Sequence, residues 1–171
     1  YTSSENTLKK FIEIAPHDLN GSVELAKLYT IQKKYDLAEE QLLRFIENSP
    51  DNALGFIHLK NFYLVTRQTD KATVILKRGL AAQPASLMLN EELTKLYIAK
   101  QEYNNAVILC EEKIKNNENP GFFYNLLGTT FLSQRQYIKA EEFFSKSMEI
   151  VPGWNDPYNN LATTLAMQGK Q

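Results

Sequence analysis

The sequence predicts an all-α chain, an α-solenoid of repeated helical hairpins, and three observations carry that prediction. Proline returns at one spacing, since Pro16, Pro50 and Pro84 lie 34 residues apart and Pro152 lies two such steps beyond Pro84. In the same period a leucine returns at Leu25, Leu59, Leu93, Leu127 and Leu161, and a small residue at Ser4, Ala38, Ala72, Ala106 and Ala140. Within one period the apolar residues keep helical spacing, first at Leu25, Leu28 and Tyr29, then at Ala38, Leu42, Phe45 and Ile46, so each unit is two amphipathic helices. Self-similarity at a fixed step of this size marks repeat architectures, in which each unit buries its apolar face against its neighbours.

Composition removes several classes of function. With 171 residues, 43% hydrophobic and 23% charged, the chain is ordinary globular material of one-domain length. Seven Gly, six Pro and no run of eighteen apolar residues argue against collagen-like, low-complexity and membrane-spanning segments. The net charge is -1 and the sequence pI about 6.2, with Lys and Arg spread among Asp and Glu, so no basic stripe tracks a phosphate backbone or an anionic membrane. The one cysteine, Cys110, cannot form an intrachain disulfide, which suits a reducing compartment without excluding an envelope. A soluble protein, cytoplasmic or of a bacterial envelope, is expected. The chain opens Tyr1-Thr2-Ser3-Ser4 with no initiator Met or signal pattern, as an excised piece of something longer would.

The elements follow in order. Tyr29, Tyr63, Tyr97 and Phe131 lie four residues after the periodic leucines. Tyr1, Tyr35, Tyr103 and Tyr137 lie three before the small positions, with Thr69 the exception. Asp18, Asn52 and Ser86 stand where a side-chain oxygen caps the first helix of a unit, and Asn119-Pro120 and Asp156-Pro157 are read as cap plus first-turn proline. The periodic prolines close the second helices. The reading is a lone second helix over 1–15, full repeats at 17–52, 53–86, 87–120 and 121–154, and a lone first helix over 155–171.

The pattern resembles the tetratricopeptide repeat, whose W-x-x-L-G-x-x-Y…A-x-x-x-F…P positions it reproduces along the whole chain. Tyr124-Asn125-Leu126-Leu127-Gly128 and Asn159-Asn160-Leu161-Ala162 are close matches. The resemblance implies a right-handed superhelix with first helices lining a concave face and second helices a convex one. It also places the small residue where the helices of a hairpin cross, and an apolar edge at either end implies a neighbouring or capping element. Lys60 stands where other units carry Ala26, Thr94, Gly128 and Ala162, and is read as a stem snorkelling past the crossing with its ammonium in water, against a ligand role. Gly79 stands where others carry Phe11, Phe45, Lys113 and Ser147, and lowers helix propensity by about 1 kcal/mol relative to Ala.

Chemistry finds little support in the residues. Only His17 and His58 could serve Cys110 as a base, and Cys110 takes the core place of Leu42, Leu76 and Phe144, so it reads as a buried thiol. No zinc, phosphate-loop or dinucleotide motif occurs, and neither cofactor nor metal is expected. Glu39-Glu40, Glu111-Glu112 and Glu141-Glu142 diverge around their helices; Glu40 with Arg44 and Glu142 with Lys146 are surface i,i+4 pairs. Helical-repeat RNA binders need a basic groove, whereas cations here are chiefly Lys27 and Lys95, so no nucleic acid is expected.

The expected role is a non-catalytic interaction module that holds a peptide or protein segment in a concave groove. By resemblance the groove lining is Asn20, Val23, Lys27, Thr30 and Ile31, then Leu54, Ile57, Asn61, Leu64 and Val65, then Met88, Glu91, Lys95, Ile98 and Ala99. It continues with Phe122, Asn125, Thr129, Leu132 and Ser133, and with Asp156, Asn159, Thr163, Ala166 and Met167. Leu54, Ile57, Leu64 and Val65 make the middle aliphatic and suited to an apolar segment, or to the array's own neighbours or a second copy. Asn125, Asn159, Thr129 and Thr163 make the C-terminal part polar, able to hold a peptide backbone or simply solvated. A subset of the family clamps a terminal carboxylate with a lysine where Val23, Ile57 or Glu91 stands here, which disfavours that ligand although Asn61 matches the asparagine. The alternative role is a scaffold that self-associates through its ends.

Overall fold

The computed structural model describes residues 2–169. Tyr1 of the aromatic series and positions 170–171 of the last half-repeat lie outside the described residues. Ten α-helices occur in order among the described residues, with no strand: α1 (Thr2–Ile14), α2 (Leu19–Ile31), α3 (Tyr35–Asn48), α4 (Ala53–Val65), α5 (Thr69–Ala82), α6 (Leu87–Ala99), α7 (Tyr103–Lys115), α8 (Pro120–Ser133), α9 (Tyr137–Ile150) and α10 (Asn155–Met167). They form two compact units, one ending at Asn90 and one beginning at Glu91, so the division falls inside α6. None of the described helices is long and apolar enough to cross a membrane.

Local signals explain the boundaries. Asp18 Oδ1 accepts from the Gly21 N–H at 2.8 Å, Asn52 Oδ1 from Leu54 at 3.0 Å, and Ser86 Oγ from Leu89 at 3.4 Å, each satisfying an orphan donor of the first turn. Two expected caps are corrected. Asn119 sits in the left-handed region at φ 48° and makes no side-chain cap, leaving its carbonyl to accept from Phe122 and Phe123. Helix α10 begins at Asn155 after Trp154, which puts Asp156 inside the first turn, where its charge meets the positive end of the helix dipole.

First helices end in a device the sequence did not advertise. Lys33, Arg67, Gln101 and Arg135, one period apart, all adopt left-handed φ near 60°, and Gly169 follows at 72°. The next N–H reaches back to the periodic aromatic residue: Lys34 to the Tyr29 carbonyl at 2.9 Å, Gln68 to Tyr63 at 2.7 Å, Glu102 to Tyr97 at 2.8 Å, and Gln136 to Phe131 at 2.9 Å. This is the Schellman closure, usually made with glycine. A long side chain there accepts a strain of about 1 kcal/mol or more.

The first unit is built on the periodic positions. Leu25, Leu59, Ala38 and Ala72 are buried, with Phe45, Ile46, Phe56 and Leu76 almost wholly enclosed. Helix α2 packs on α3 and α4 on α5, while α3 joins α4. Between hairpins, the Tyr29 hydroxyl donates to Glu5 at 3.2 Å and the Tyr63 hydroxyl to Glu39 at 2.7 Å, one period on. Lys71 Nζ donates to Glu39 at 3.0 Å and lies 5.3 Å from the Tyr63 ring centre. Burial, then the Glu39 bond, push the Tyr63 phenol above its usual range.

The second unit packs by the same rules. Leu93, Leu127, Ala106, Ala140, Cys110 and Phe144 are buried. The Ser147 hydroxyl donates to the Gly121 carbonyl at 2.7 Å. Phe143 stacks between Tyr124 and Phe131 at centroid distances of 6.1 and 5.3 Å. At the last helix the burial thins: Leu161 is half-buried and Ala162 exposed, whereas Leu127 and Gly128 one period earlier are enclosed, and only Pro157 and Thr164 of α10 are buried.

Lys60 is buried, at 7% exposed, in place of the expected reach into water. Gly79 finds a positive reason. A Cβ added there would lie 2.9 Å from the Phe56 ring and 3.1 Å from Leu89 Cδ1, both enclosed side chains with nowhere to move. The helix propensity gained by Gly79→Ala, about 1 kcal/mol, is therefore set against an overpacking cost of about 1–3 kcal/mol. Gly79→Ala is expected to lower the melting temperature of the folded chain, and a rise measured by thermal circular dichroism would show that Phe56 can yield.

Candidate functional site

Where α2 and α4 run side by side in the first unit they leave a cleft of about 480 Å³. Its floor is apolar, made by Val23 and Ala26 of α2, Leu42 of α3 and Phe62 of α4, all buried. Its outer wall is apolar as well, and open: Ile31 is 69% exposed and Val65 71%, each the last residue of its helix and one period apart. Covering such an aliphatic side chain is worth roughly 1.5–3 kcal/mol. Thr30 adds its methyl, since its hydroxyl already donates to the Ala26 carbonyl at 2.8 Å.

The remaining lining is polar and carries no carboxylate: Lys27 on α2, and His58 and Asn61 on α4. Lys27 Nζ lies 2.7 Å from Glu24 Oε1 outside the cleft. Both side chains are more than half exposed, and such a pair contributes about 0–1 kcal/mol. His58 is half-buried, and among the described residues no group hydrogen-bonds its ring. Burial, and secondarily the Lys27 charge, hold the His58 imidazole below its ordinary value, so it is neutral at neutral pH.

No protein-family model matches the chain, and no curated protein matches it significantly. Solved structures do. A tetratricopeptide repeat protein from Parabacteroides merdae superposes with a TM-score of 0.65 at 19% identity, over 99% of this chain and 67% of its own. A thermophilic protein of the same repeat from Thermus thermophilus gives 0.63 at 18%, covering 95% and 89%. YrrB, described as a protein of this repeat with an unusual peptide-binding site, gives 0.52 at 19%, covering 96% and 84%. The chain has the tetratricopeptide-repeat fold. At such identities the likeness is of fold, an all-α α-solenoid.

Within this tetratricopeptide-repeat fold, the sequence-derived groove positions go to different places. Val23, Lys27, Thr30, Ile31, Asn61 and Val65 meet in the α2–α4 cleft. Leu54 and Met88, both exposed, line a separate shallow hollow with Asn52 and Gln83. Asn20 and Leu64 are exposed beside the cleft's helices, and Ile57 is half-buried. In the second unit Glu91 holds Lys95 Nζ at 2.8 Å, with Glu92 at 3.5 Å, which neutralises the cation locally. Ile98 is half-buried.

The polar C-terminal positions are mostly engaged by their own neighbours. Asn125 is buried and its Oδ1 accepts from Asn160 Nδ2 at 2.9 Å. Thr129 donates to the Asn125 carbonyl at 3.0 Å and Thr163 to the Asn159 carbonyl at 2.9 Å, leaving the exposed Asn159 amide toward solvent. Phe122 stacks on Trp154 at 5.9 Å and 16°. His58 and Phe62 are cleft residues that the sequence reading missed. Their one-period equivalents Glu24 and Leu28 lie off the expected groove stripe, and only the cleft between two helices brings that flank into play.

Other reactive groups lie apart. Cys110 is fully buried, its thiol pushed up to about 12 by burial, which leaves it protonated at neutral pH. Among the described residues no three or more His, Cys, Asp or Glu side chains gather as a metal site. A thiol reagent is expected to leave Cys110 unmodified in the native chain and to react after denaturation, as mass spectrometry would read. The His58 ring should titrate below its ordinary value of 6.5 by proton NMR and rise in Lys27→Met without reaching that value, because burial is the larger cause. Since the unfolded chain holds the proton more readily, His58 removes stability as pH falls through 6.5.

Proposed function

We propose that this chain is a non-catalytic protein-interaction module whose α2–α4 cleft captures an apolar segment of another protein. The observation that carries this reading is the open aliphatic wall of Ile31 and Val65, two exposed side chains one period apart that face a single concavity above an apolar floor. Isolated exposed aliphatics are ordinary; two that face one concavity are characteristic of binding surfaces. The cleft's volume of about 480 Å³ is of the order that binding clefts have, and suits the side chains of one helix face or a short extended stretch. The peptide-binding site described for YrrB, a fold neighbour, supports the same direction.

Ile31→Glu combined with Val65→Glu tests it with little risk to folding, because both side chains are mostly in solvent. A randomised peptide library selected on the wild-type chain should yield aliphatic-rich binders, and the double variant should hold them about tenfold more weakly or worse, a loss of about 1.4 kcal/mol. Binders retained equally by both proteins would remove the cleft from the function.

A further inference from the structure

We propose that the segment captured in the α2–α4 cleft carries a carboxylate side chain between aliphatic anchors, with the carboxylate set against Lys27, His58 and Asn61 and with His58 taking up a proton on binding. This rests on the cleft reading above and adds the chemistry of the partner. The cleft has two unlike kinds of lining residue, interleaved along α2 and α4. Ile31, Val65 and Phe62 offer only apolar surface, whereas Lys27, His58 and Asn61 are all able to donate hydrogen bonds and no acidic side chain lies among the lining. An aliphatic ligand alone would cover the apolar lining and bring no acceptor to the half-buried His58 ring. A carboxylate one or two residues from an aliphatic anchor satisfies both, and a charge-assisted bond is the stronger kind.

Lys27 is available for this. Its present partner Glu24 lies outside the cleft, and the pair is solvent-screened, so a second carboxylate can share or replace it at small cost. His58 has no hydrogen-bond partner to give up among the described residues.

The charges around His58 fix the sign of the pH response. The charge that acts on His58 is that of Lys27 on α2, whose partner Glu24 is not among the lining; α3 lines the cleft only with Leu42, and the charged residues of α3 and α5 are not among its lining. The four residues of α6 in this unit, Leu87 to Asn90, carry no charge. On α4 itself Lys60 is two positions on, about 200° around the helix. Without ligand, Lys27 opposes protonation of His58. A carboxylate bound against the ring outweighs both the Lys27 charge and the burial, so His58 gains a proton and binding tightens as pH falls through the raised pKa of the complex. The ligand's own carboxyl remains ionised until well below that range.

The test uses three fluorescein-labelled peptide pools in which a central Glu, Gln or Lys is flanked by mixed Leu, Ile and Val, read by fluorescence anisotropy on the folded chain. The Glu pool should bind about tenfold more tightly than the Gln pool near pH 6, with the advantage shrinking toward pH 8. Lys27→Met, at a mostly exposed position, should cut the Glu-over-Gln ratio severalfold. His58→Gln should abolish the pH dependence, and the wild-type His58 NMR titration should move upward in the Glu complex, which reads the proton step without any substitution. Equal Glu and Gln binding that is lost in the Ile31→Glu and Val65→Glu double variant overturns the carboxylate preference while leaving apolar capture standing. A preference for the Lys pool, or a His58 titration unmoved by the Glu peptides, overturns the proposal. No binding by any pool overturns both readings.

Discussion

Backbone and aromatic ring approach each other so closely in this fold that the smallest side chains are placed by sterics. A Cβ at Gly55 would lie 2.9 Å from the Phe45 ring, one at Gly79 2.9 Å from Phe56, and one at Gly128 2.5 Å from Phe144. Ala38, Ala72, Ala106 and Ala140 meet the same demand and are entirely enclosed. Such contacts let two amphipathic helices bring their large residues into one layer at interior density, and hydrophobic burial then does the rest. The alanine position recurs once per hairpin and so repeats in the sequence, whereas Gly79 and Gly128 answer demands particular to their own hairpins.

The cleft is a by-product of that packing. The small and large residues that join α2, α3 and α4 face inward, so the last turns of α2 and α4 are left with aliphatic residues that no element covers. The Schellman closures at Lys33 and Arg67 end both helices at the same level, directly after Ile31 and Val65. Chain reversal and the exposed aliphatic wall are thus set within the same last turns. Function on this fold lies in what such positions carry, since the packing residues are common to all its users.

The two polar regions expected to face a ligand differ for a physical reason. Asn125 and Thr129 find partners inside their own unit, and Lys95 has two glutamates on its own helix, so these donors and charges are largely satisfied without a ligand. Lys27, His58 and Asn61 share a concavity with no carboxylate in it. Of these only His58 is half-buried, and a half-buried donor in an apolar setting is where a bound acceptor gains most; Lys27 and Asn61 are exposed, and Lys27 is held by Glu24.

The sequence by itself determined the all-α class, the period, the caps at Asp18, Asn52 and Ser86, and the buried alanine series with the leucines from Leu25 to Leu127, because each follows from spacing along one helix or from a neighbour within a turn. It also placed Val23, Lys27, Ile31, Asn61 and Val65 on a common stripe. Tertiary structure decided what lies outside the reach of spacing. It split Leu54 and Met88 from the cleft, drew in His58 and Phe62, buried Asn125 against Asn160, enclosed Lys60, and turned Gly79 from a weak helix residue into a steric necessity. Each of these depends on which flank of one helix meets another, a relation between residues tens of positions apart that a periodic pattern constrains only in part.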